Sequence, residues 1–318
     1  MISSTPFCSI IIPALNEEKD IAACLTSLSK QTYPRDCYEI IIVDNGSTDL
    51  TKAIASKYAD HVLEKANCNV GAVRNYGVEK STGEILICTD ADCTFPPAWI
   101  ETGVNLLSKN KDTVFGGGLR SSSDRNWIDK YWLLNSGGET VQQNDLMGSC
   151  IFIERSTFLK SGRFPEEVTS GEDSDISERL RKIGIRIKME SALSVNHEGN
   201  PKTVTDFLGR QAWHAENYFK KPTKHIKDYI FIATTIYSIT ITASLLTAFF
   251  GNLHSSLALL SASQAIALAH STKRIVRSGK LSNFKYIIPI LSLDNLYFTG
   301  RTIGSIYGIT KTAPTRKK

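Results

Sequence analysis

Short, uninterrupted apolar runs alternate with segments of helical spacing through the first two thirds of the chain. Residues 8–12 form one such run, stopped by Pro13, and residues 39–43 form another, stopped by Asp44-Asn45-Gly46. Apolarity without an inside-outside alternation predicts strands covered on both faces, as in a parallel sheet. Between them, residues 17–31 place Ile21, Cys24, Leu25 and Leu28 on one face at helical spacing. Ser47-Thr48-Asp49 then offers caps for a helix running through Lys57. Residues 61–63 predict a short strand, 70–79 a helix, and 85–89 a strand ending on Asp90. A helix over 97–107 and strands near 113–115 and 150–153 complete an α/β, doubly wound, mostly parallel sheet. Ligands of such sheets bind beyond the carboxyl ends of the strands, so Pro13, Asp44 and the segment from Asp90 to Asp92 are expected around one crevice.

The pattern changes after residue 221. Residues 229–250 are about 22 residues without a charge, enough for a helix to cross a hydrocarbon core of about 30 Å. Gly251-Asn252 interrupts the run, and residues 253–270 form a second, weaker span that contains Ser255, Ser256, Ser261 and Ser263. Lys220, Lys221, Lys224 and Lys227 precede the first span, Lys273, Arg274, Arg277 and Lys280 follow the second, and the connector holds no lysine or arginine. The positive-inside rule makes the pair a transmembrane hairpin with both flanks cytoplasmic; the alternative is a helical hairpin buried in a soluble protein.

Residues 284–309 include Asp294 and Arg301 and lead into a basic tail, 311–318. A third crossing would put that tail outside, against the charge rule, so this segment is expected to lie in the interface or to re-enter. Gly300, Gly304 and Gly308 recur every four residues, a face along which another backbone can approach closely. That repeat predicts either association into a homo-oligomer or three flexible turns. The expected organisation is a catalytic domain over 1–221 and a membrane region over 222–318.

Composition narrows the class. With 318 residues, 42% hydrophobic and 22% charged, the chain suits one α/β core with an appendage and is too apolar for wholesale disorder. The net charge of +5 is modest, and the basic residues crowd toward the C-terminal part, which favours a membrane surface over nucleic acid. Seven cysteines lack the paired short spacing of a zinc site and read as reduced thiols. No basic segment followed by an apolar one opens the chain, so the N-terminal domain is expected to stay in the cytoplasm.

Asp90 and Asp92, one residue apart at a strand end, suit a divalent metal neutralising an anionic diphosphate, although solvated acidic turns look the same. Asp44 can accept from a base N–H or a ribose hydroxyl, or cap its turn, or both. Gly71 and Arg74 lie near a helix start, a favourable place for a diphosphate. Glu172 and Asp173 open a charged helix, where a carboxylate serves as general base or simply complements the helix dipole. His197 is a further metal-ligand candidate. Arg210 and Trp213 share a segment that reads as an amphipathic helix and faces either an acceptor or the membrane interface.

Together, five segments resemble the family 2 inverting glycosyltransferases with a GT-A fold. They are Ser9-Ile10-Ile11-Ile12-Pro13-Ala14-Leu15-Asn16-Glu17-Glu18, Ile42-Val43-Asp44-Asn45-Gly46-Ser47-Thr48-Asp49, the stretch from Asn69 to Asn75, Thr89-Asp90-Ala91-Asp92, and Gly171-Glu172-Asp173. They follow the family's order over roughly the first 220 residues. The resemblance implies a nucleotide-sugar donor held by Pro13, Leu15, Glu17, Asp44, Gly71, Arg74, Asp90 and Ala91. It implies Mn2+ or Mg2+ on Asp92, with Asp90 and His197 as further ligands, and Asp173 as catalytic base beside Glu172.

Processive members carry Q-x-x-R-W before their membrane segments. The order here is Arg210-Gln211-Ala212-Trp213, which favours addition of a single sugar to a lipid-linked or cell-surface glycan precursor at the cytoplasmic face of the cell membrane. Transfer to a polyprenyl phosphate and nucleotidyl transfer on a related α/β fold are the alternatives.

Overall fold

A computed structural model of the chain describes residues 5–120, 126–132, 134, 145–216, 218, 228–279 and 284–310. It divides into two compact units, residues 1–123 with 137–199 and residues 124–136 with 200–318.

The first unit is built on the buried strands. β1 (Cys8–Ala14) and β2 (Tyr38–Asp44) pair in parallel, with Ile10 opposite Ile40 and Ala14 opposite Asp44. β3 (His61–Glu64) extends the sheet beyond β2, and β4 (Ile85–Cys88) lies on the other side of β1, both parallel. A two-residue strand, β5 (Cys93–Thr94), follows, and then β6 (Thr113–Gly116), β7 (Leu119–Arg120), β8 (Ile151–Glu154), β9 (Arg186–Met189) and β10 (Val195–His197). The main sheet has the order β3-β2-β1-β4-β8-β6-β9, and β5-β10-β7 form a second, small sheet. β8 runs antiparallel to both β4 and β6. The sheet is therefore mixed: β3-β2-β1-β4 pair in parallel, β6 and β9 do so as well, and β8 between them runs against both of its neighbours.

Helices cover both faces, and the apolar runs are divided between them with the period of a strand. Ile10, Ile12, Ile40 and Ile42 pack with Leu25 and Leu28 of α1 (Ile21–Ser29) and with Trp99 of the later helix Trp99–Lys109. On the opposite face, Ile41 and Val43 meet Val73, while Ile11, Leu86 and Cys88 meet Phe158, Ile176 and Leu180. In chain order the remaining helices are α2 (Thr51–Ala55), α3 (Val70–Lys80), α4 (Trp99–Lys109), α5 (Trp127–Trp132), α6 (Arg155–Lys160) and α7 (Glu172–Lys182). α1 and α2 are shorter than their sequence spacing suggests. Asn16, Glu18, Asp49 and Thr51 bond between the two preceding loops, so the polar residues that read as helix starts are used to join loops.

The second unit is helical. α8 (Val204–Ala215), α9 (Tyr229–Phe249), α10 (Leu253–Arg277) and α11 (Ile287–Thr310) join α5. α8 thus belongs with the helices that follow it, and the break between compact units falls after Gly199. α9 and α10 form a hairpin through Gly251, whose φ of 78° is the left-handed region open to glycine. Ser244 and Ser256 bond across it at 2.8 Å.

The glycine repeat on α11 does receive another backbone. A methyl group added at Gly304 or Gly308 would run into the carbonyl oxygens of Ala212 and Glu216, and one at Gly300 would stand 2.8 Å from the Leu208 carbonyl. Each step of four residues on α11 matches a step of four on α8, so the two helices run parallel in close contact. The occupant of the glycine face is this chain's own α8, which removes the sequence reason for expecting a second copy there.

Asp294 is fully buried, bonded to Ser271 Oγ at 2.6 Å and paired with Arg274. Arg274 also lies 4.3 Å from the Trp132 ring centroid. Among the described residues, α9 alone is long and apolar enough to cross a membrane. α10 is longer, but Gln264, His270 and its serines keep it below that mark.

Candidate active site

The loops that follow β1 and β2 are fastened to each other. Asn16 sits at a positive φ of 58°, donates its amide to Ser47 Oγ at 2.9 Å and accepts from the Thr48 amide at 2.9 Å. Glu17 donates its amide to Thr51 Oγ1 at 2.7 Å. Asn and Asp tolerate this backbone region better than other side-chain-bearing residues, so Asn16 fits a sharp turn just past Pro13. Leu15 is exposed there.

Asp44 is fully buried at the end of β2. Its Oδ2 accepts from the amides of Gly46 and Ser47, each at 3.0 Å. Its Oδ1 is buried with no hydrogen-bond partner among the described residues. The two roles expected for this carboxylate therefore separate by atom: one oxygen caps the turn, and the other remains an acceptor for a ligand N–H or O–H.

Glu17, Asp90 and Asp92 converge. Burial, followed by the charges of Asp92, Asp20, Asp90 and Asp49, pushes the Glu17 carboxyl up to about 7. Charge accumulation of this kind is what a bound cation relieves.

Arg74, on α3, is buried and joins two of the expected motifs. Its Nη2 donates to Asp90 Oδ1 at 2.7 Å and its Nη1 to Glu172 Oε1 at 2.6 Å. Gly148 lies against the guanidinium so closely that any Cβ would strike it. The Gly148 amide also donates to Asp173 Oδ2 at 3.3 Å, and Ser174 donates to Asp173 Oδ1 at 2.8 Å. Burial and the neighbouring Glu172 charge raise the Asp173 carboxyl to about 6, partly offset by Arg74. Gly171 makes this helix entry possible with a φ of 82°. Gly71 plays a different part: its bare Cα packs under the Pro165 carbonyl, and Asn69 and Asn75 bond to Glu166 and Phe164 of the same loop.

The pairing of β5 with β10 explains how His197 reaches Asp92. His197 lies opposite Cys93, and the Glu198 amide donates to the Asp92 carbonyl at 2.9 Å. His197 Nε2 stands 3.5 Å from Asp92 Oδ1. Gly199 passes so close to Asp92 Oδ2 that a side chain would displace it. One potential ligand atom from each of Asp92, Cys93 and His197 lies within 4.8 Å of the others. The Asp92 carboxylate suits a hard divalent ion such as Mn2+ or Mg2+, and the His197 imidazole offers a nitrogen beside it. Cys93 is fully buried, and burial with the charges of Asp90 and Asp92 raises its thiol well above the ordinary range, so it serves as a neighbour to Asp92 Oδ1 at 3.7 Å. Ala91 is buried between the two aspartates.

The first unit thus gathers Glu17, Arg74, Asp90, Asp92, Glu172, Asp173 and His197 through direct contacts or mutual electrostatic influence. Arg210 and Trp213 lie on α8 in the helical unit, with Trp213 exposed and its ring 4.9 Å from that of His214. Gly148, Gly199 and Cys93 were not marked by any spacing in the sequence. What makes them matter is close approach by residues distant in the chain, and a single glycine or cysteine carries no signal of that.

Residues 9–159 match the family described as Glycosyl transferase family 2. Over 214 residues the chain is 29% identical to Glycosyltransferase AglE of Haloferax volcanii, spanning 63% of this chain and 70% of that protein. Over 180 residues it is 28% identical to the poly(ribitol-phosphate) beta-N-acetylglucosaminyltransferase TarS of Staphylococcus aureus, spanning 52% of this chain and only 30% of that protein. Its fold matches the mannosyltransferase PcManGT of Pyrobaculum calidifontis, solved in complex with GDP-Man and Mn2+. That match has a TM-score of 0.62 at 19% identity and covers 96% of this chain and 88% of the other. The ordered motifs, the mixed sheet with its carboxylates at the strand ends, and these likenesses agree: residues 9–159 form a glycosyltransferase family 2 domain, on a GT-A-like fold.

Proposed function

We propose that this enzyme transfers a single sugar from a nucleotide-sugar donor to a hydroxyl of a membrane-associated acceptor, a lipid-linked or cell-surface glycan precursor, with inversion at the anomeric carbon. The observation that carries this reading is the Arg74 bridge. It draws the donor-side carboxylate Asp90 and the Glu172-Asp173 pair into one cluster, where Asp173 has a carboxyl at about 6. Such a group is ionised at neutral pH yet more basic than an ordinary carboxylate, which suits proton removal from an alcohol.

Asp92 and His197 would hold the metal, whose contribution is neutralisation of the leaving diphosphate. The open Oδ1 of Asp44 receives a donor from the nucleoside. The acceptor oxygen attacks the anomeric carbon, its proton passes to Asp173, and the bond to the diphosphate oxygen breaks to release the nucleoside diphosphate. The GDP-Man and Mn2+ of the mannosyltransferase complex support the donor class and the metal. The outward-facing Ile236, Ile239 and Phe249 of α9, together with the basic residues flanking the hairpin, support attachment at the cytoplasmic face of the cell membrane.

The test is a panel of nucleotide sugars offered with Mn2+ to the full chain in detergent, scoring nucleoside diphosphate release and transfer to lipid-linked saccharides. Asp92→Ala is expected to abolish both. Asp173→Asn is expected to lower transfer by roughly 10²- to 10⁴-fold while donor-induced thermal stabilisation remains. Little change on Asp173→Asn would remove the base assignment and point to a phosphate acceptor, whose oxygen is already anionic. Release of pyrophosphate would replace glycosyl transfer by nucleotidyl transfer.

A further inference from the structure

Two polar clusters of the helical unit are built around an arginine that packs against an aromatic ring, Arg274 and Arg301. Arg274, Asp294 and Ser271 satisfy one another. The set around Arg301 does not close in that way. Arg301 lies 4.4 Å from the Tyr297 ring centroid and donates through Nη1 to the Tyr218 hydroxyl. Its Nε is buried with no hydrogen-bond partner among the described residues, and so is the Oγ of Ser305, one turn further along α11. No carboxylate pairs with Arg301 among the described residues. On α8, Arg210 and His214 are one turn apart, and both Arg301 and Arg210 are within electrostatic reach of the His214 imidazole. Two guanidiniums thus share a polar patch to which the described residues bring no acid for Arg301. Burying a cation in this way is unfavourable unless an anion completes the arrangement.

The surroundings indicate what carries that anion. Trp213 and His214 are exposed at the α8 edge of the patch, while Arg301 Nε and Ser305 Oγ lie beneath the surface. One turn beyond Ser305 on α11 stands the exposed Ile309, with the exposed Ile306 at its flank. A ligand that meets both features has a phosphate and a hydrocarbon chain.

We propose that Arg301 and Ser305 of α11, with the Arg210 and His214 face of α8, bind the phosphate of a lipid-linked acceptor. Guanidinium matches phosphate in a planar, paired geometry, Ser305 supplies a further donor, and the exposed isoleucines receive the chain. This rests on the reading of the acceptor as lipid-linked, and it assigns the part of that acceptor the helical unit recognises.

The experiment measures binding, apart from turnover. The full chain in non-ionic detergent is titrated with farnesyl phosphate, farnesol, inorganic phosphate, and vesicles containing phosphatidylglycerol. Farnesyl phosphate is expected to bind at least about tenfold more tightly than farnesol or inorganic phosphate, and Arg301→Gln to weaken it by about tenfold or more. Ser305→Ala is expected to weaken it severalfold, and it keeps the test decisive should thermal unfolding show that Arg301→Gln is not folded. Wild-type affinity in a folded Arg301→Gln, or in Ser305→Ala, overturns the site. Equal binding of inorganic phosphate reduces it to a free-anion site, and equal competition by the vesicles reduces it to general headgroup binding; each also overturns the proposal. Farnesyl phosphate binding in a protein that transfers no sugar would leave this site standing and remove the function proposed above.

Discussion

Arg74 is worth following because one buried guanidinium holds carboxylates that lie 16 and 98 positions away in the chain. Removing it leaves Asp90 and Glu172 without their counter-charge, so Arg74→Met is expected to lower stability by roughly 3–5 kcal/mol, read as a fall in unfolding midpoint. It should also change the pH profile. In the wild type, Asp173 must be deprotonated to act as base, so kcat/KM is expected to fall about tenfold per unit as pH drops below about 6. Arg74 opposes the upward push of burial and Glu172, so its loss moves that acid limb to higher pH. An unmoved limb in a folded Arg74→Met would show that another group titrates.

Gly199 provides a second test at this scale, since Gly199→Ala keeps every ligand but crowds Asp92 Oδ2. A loss of about 10- to 100-fold in Mn2+ affinity is expected by titration calorimetry, the size seen when a ligand's support is disturbed. The carboxylates of this site were legible because their residue types and order announce the chemistry. Gly148 and Gly199 were not, because they matter through distances between loops that no local spacing encodes.

Among the elements, the strands were the most readable, since β1, β2 and β4 carry short apolar runs and are buried on both faces. Their direction was less so. β8 has the same kind of apolar run as the strands that pair in parallel but enters the sheet antiparallel, and burial alone makes no distinction between the two. The glycine repeat of α11 shows the same limit in another form. Its four-residue period correctly signals close approach of a backbone, whereas the identity of that backbone depends on where the fold returns α8. Gly304→Val would drive a branched side chain into the Ala212 carbonyl, and a loss of about 1–3 kcal/mol is expected from overpacking, with a lowered unfolding midpoint as the readout. Gly209 on α8 has no atom near its Cβ position, so Gly209→Ala should be neutral or stabilise by up to about 1 kcal/mol. Equal effects of the two would mean that the glycine face is not packed on α8.

For the molecule as a whole, the membrane reading turns on how α9 distributes its apolar surface. A core helix hides that surface, but in α9 only 28% of the most apolar stretch is buried. Ile239, Leu246 and Phe249 are 63%, 54% and 83% exposed, and Phe250 and Leu253 continue the exposed apolar surface around the turn into α10. Leaving such groups in water forfeits about 25 cal/mol for each Å2, whereas a bilayer accepts them without loss. Attachment should therefore depend on apolar character at those outward positions more than on the basic flanks. The expected result is that the chain stays with the membrane fraction through an alkaline carbonate wash, where contacts made by charge alone are released. In the double variant Ile239→Asp, Leu246→Asp, the aspartate at 239, in the middle of the span, opposes insertion by about 2.5–3.5 kcal/mol and the one at 246, near its end, adds less, so most of the protein should move to the soluble fraction or aggregate. If the double variant sediments with membranes as fully as the wild type, then α9 does not lie in hydrocarbon, and its exposed face must be covered by protein instead.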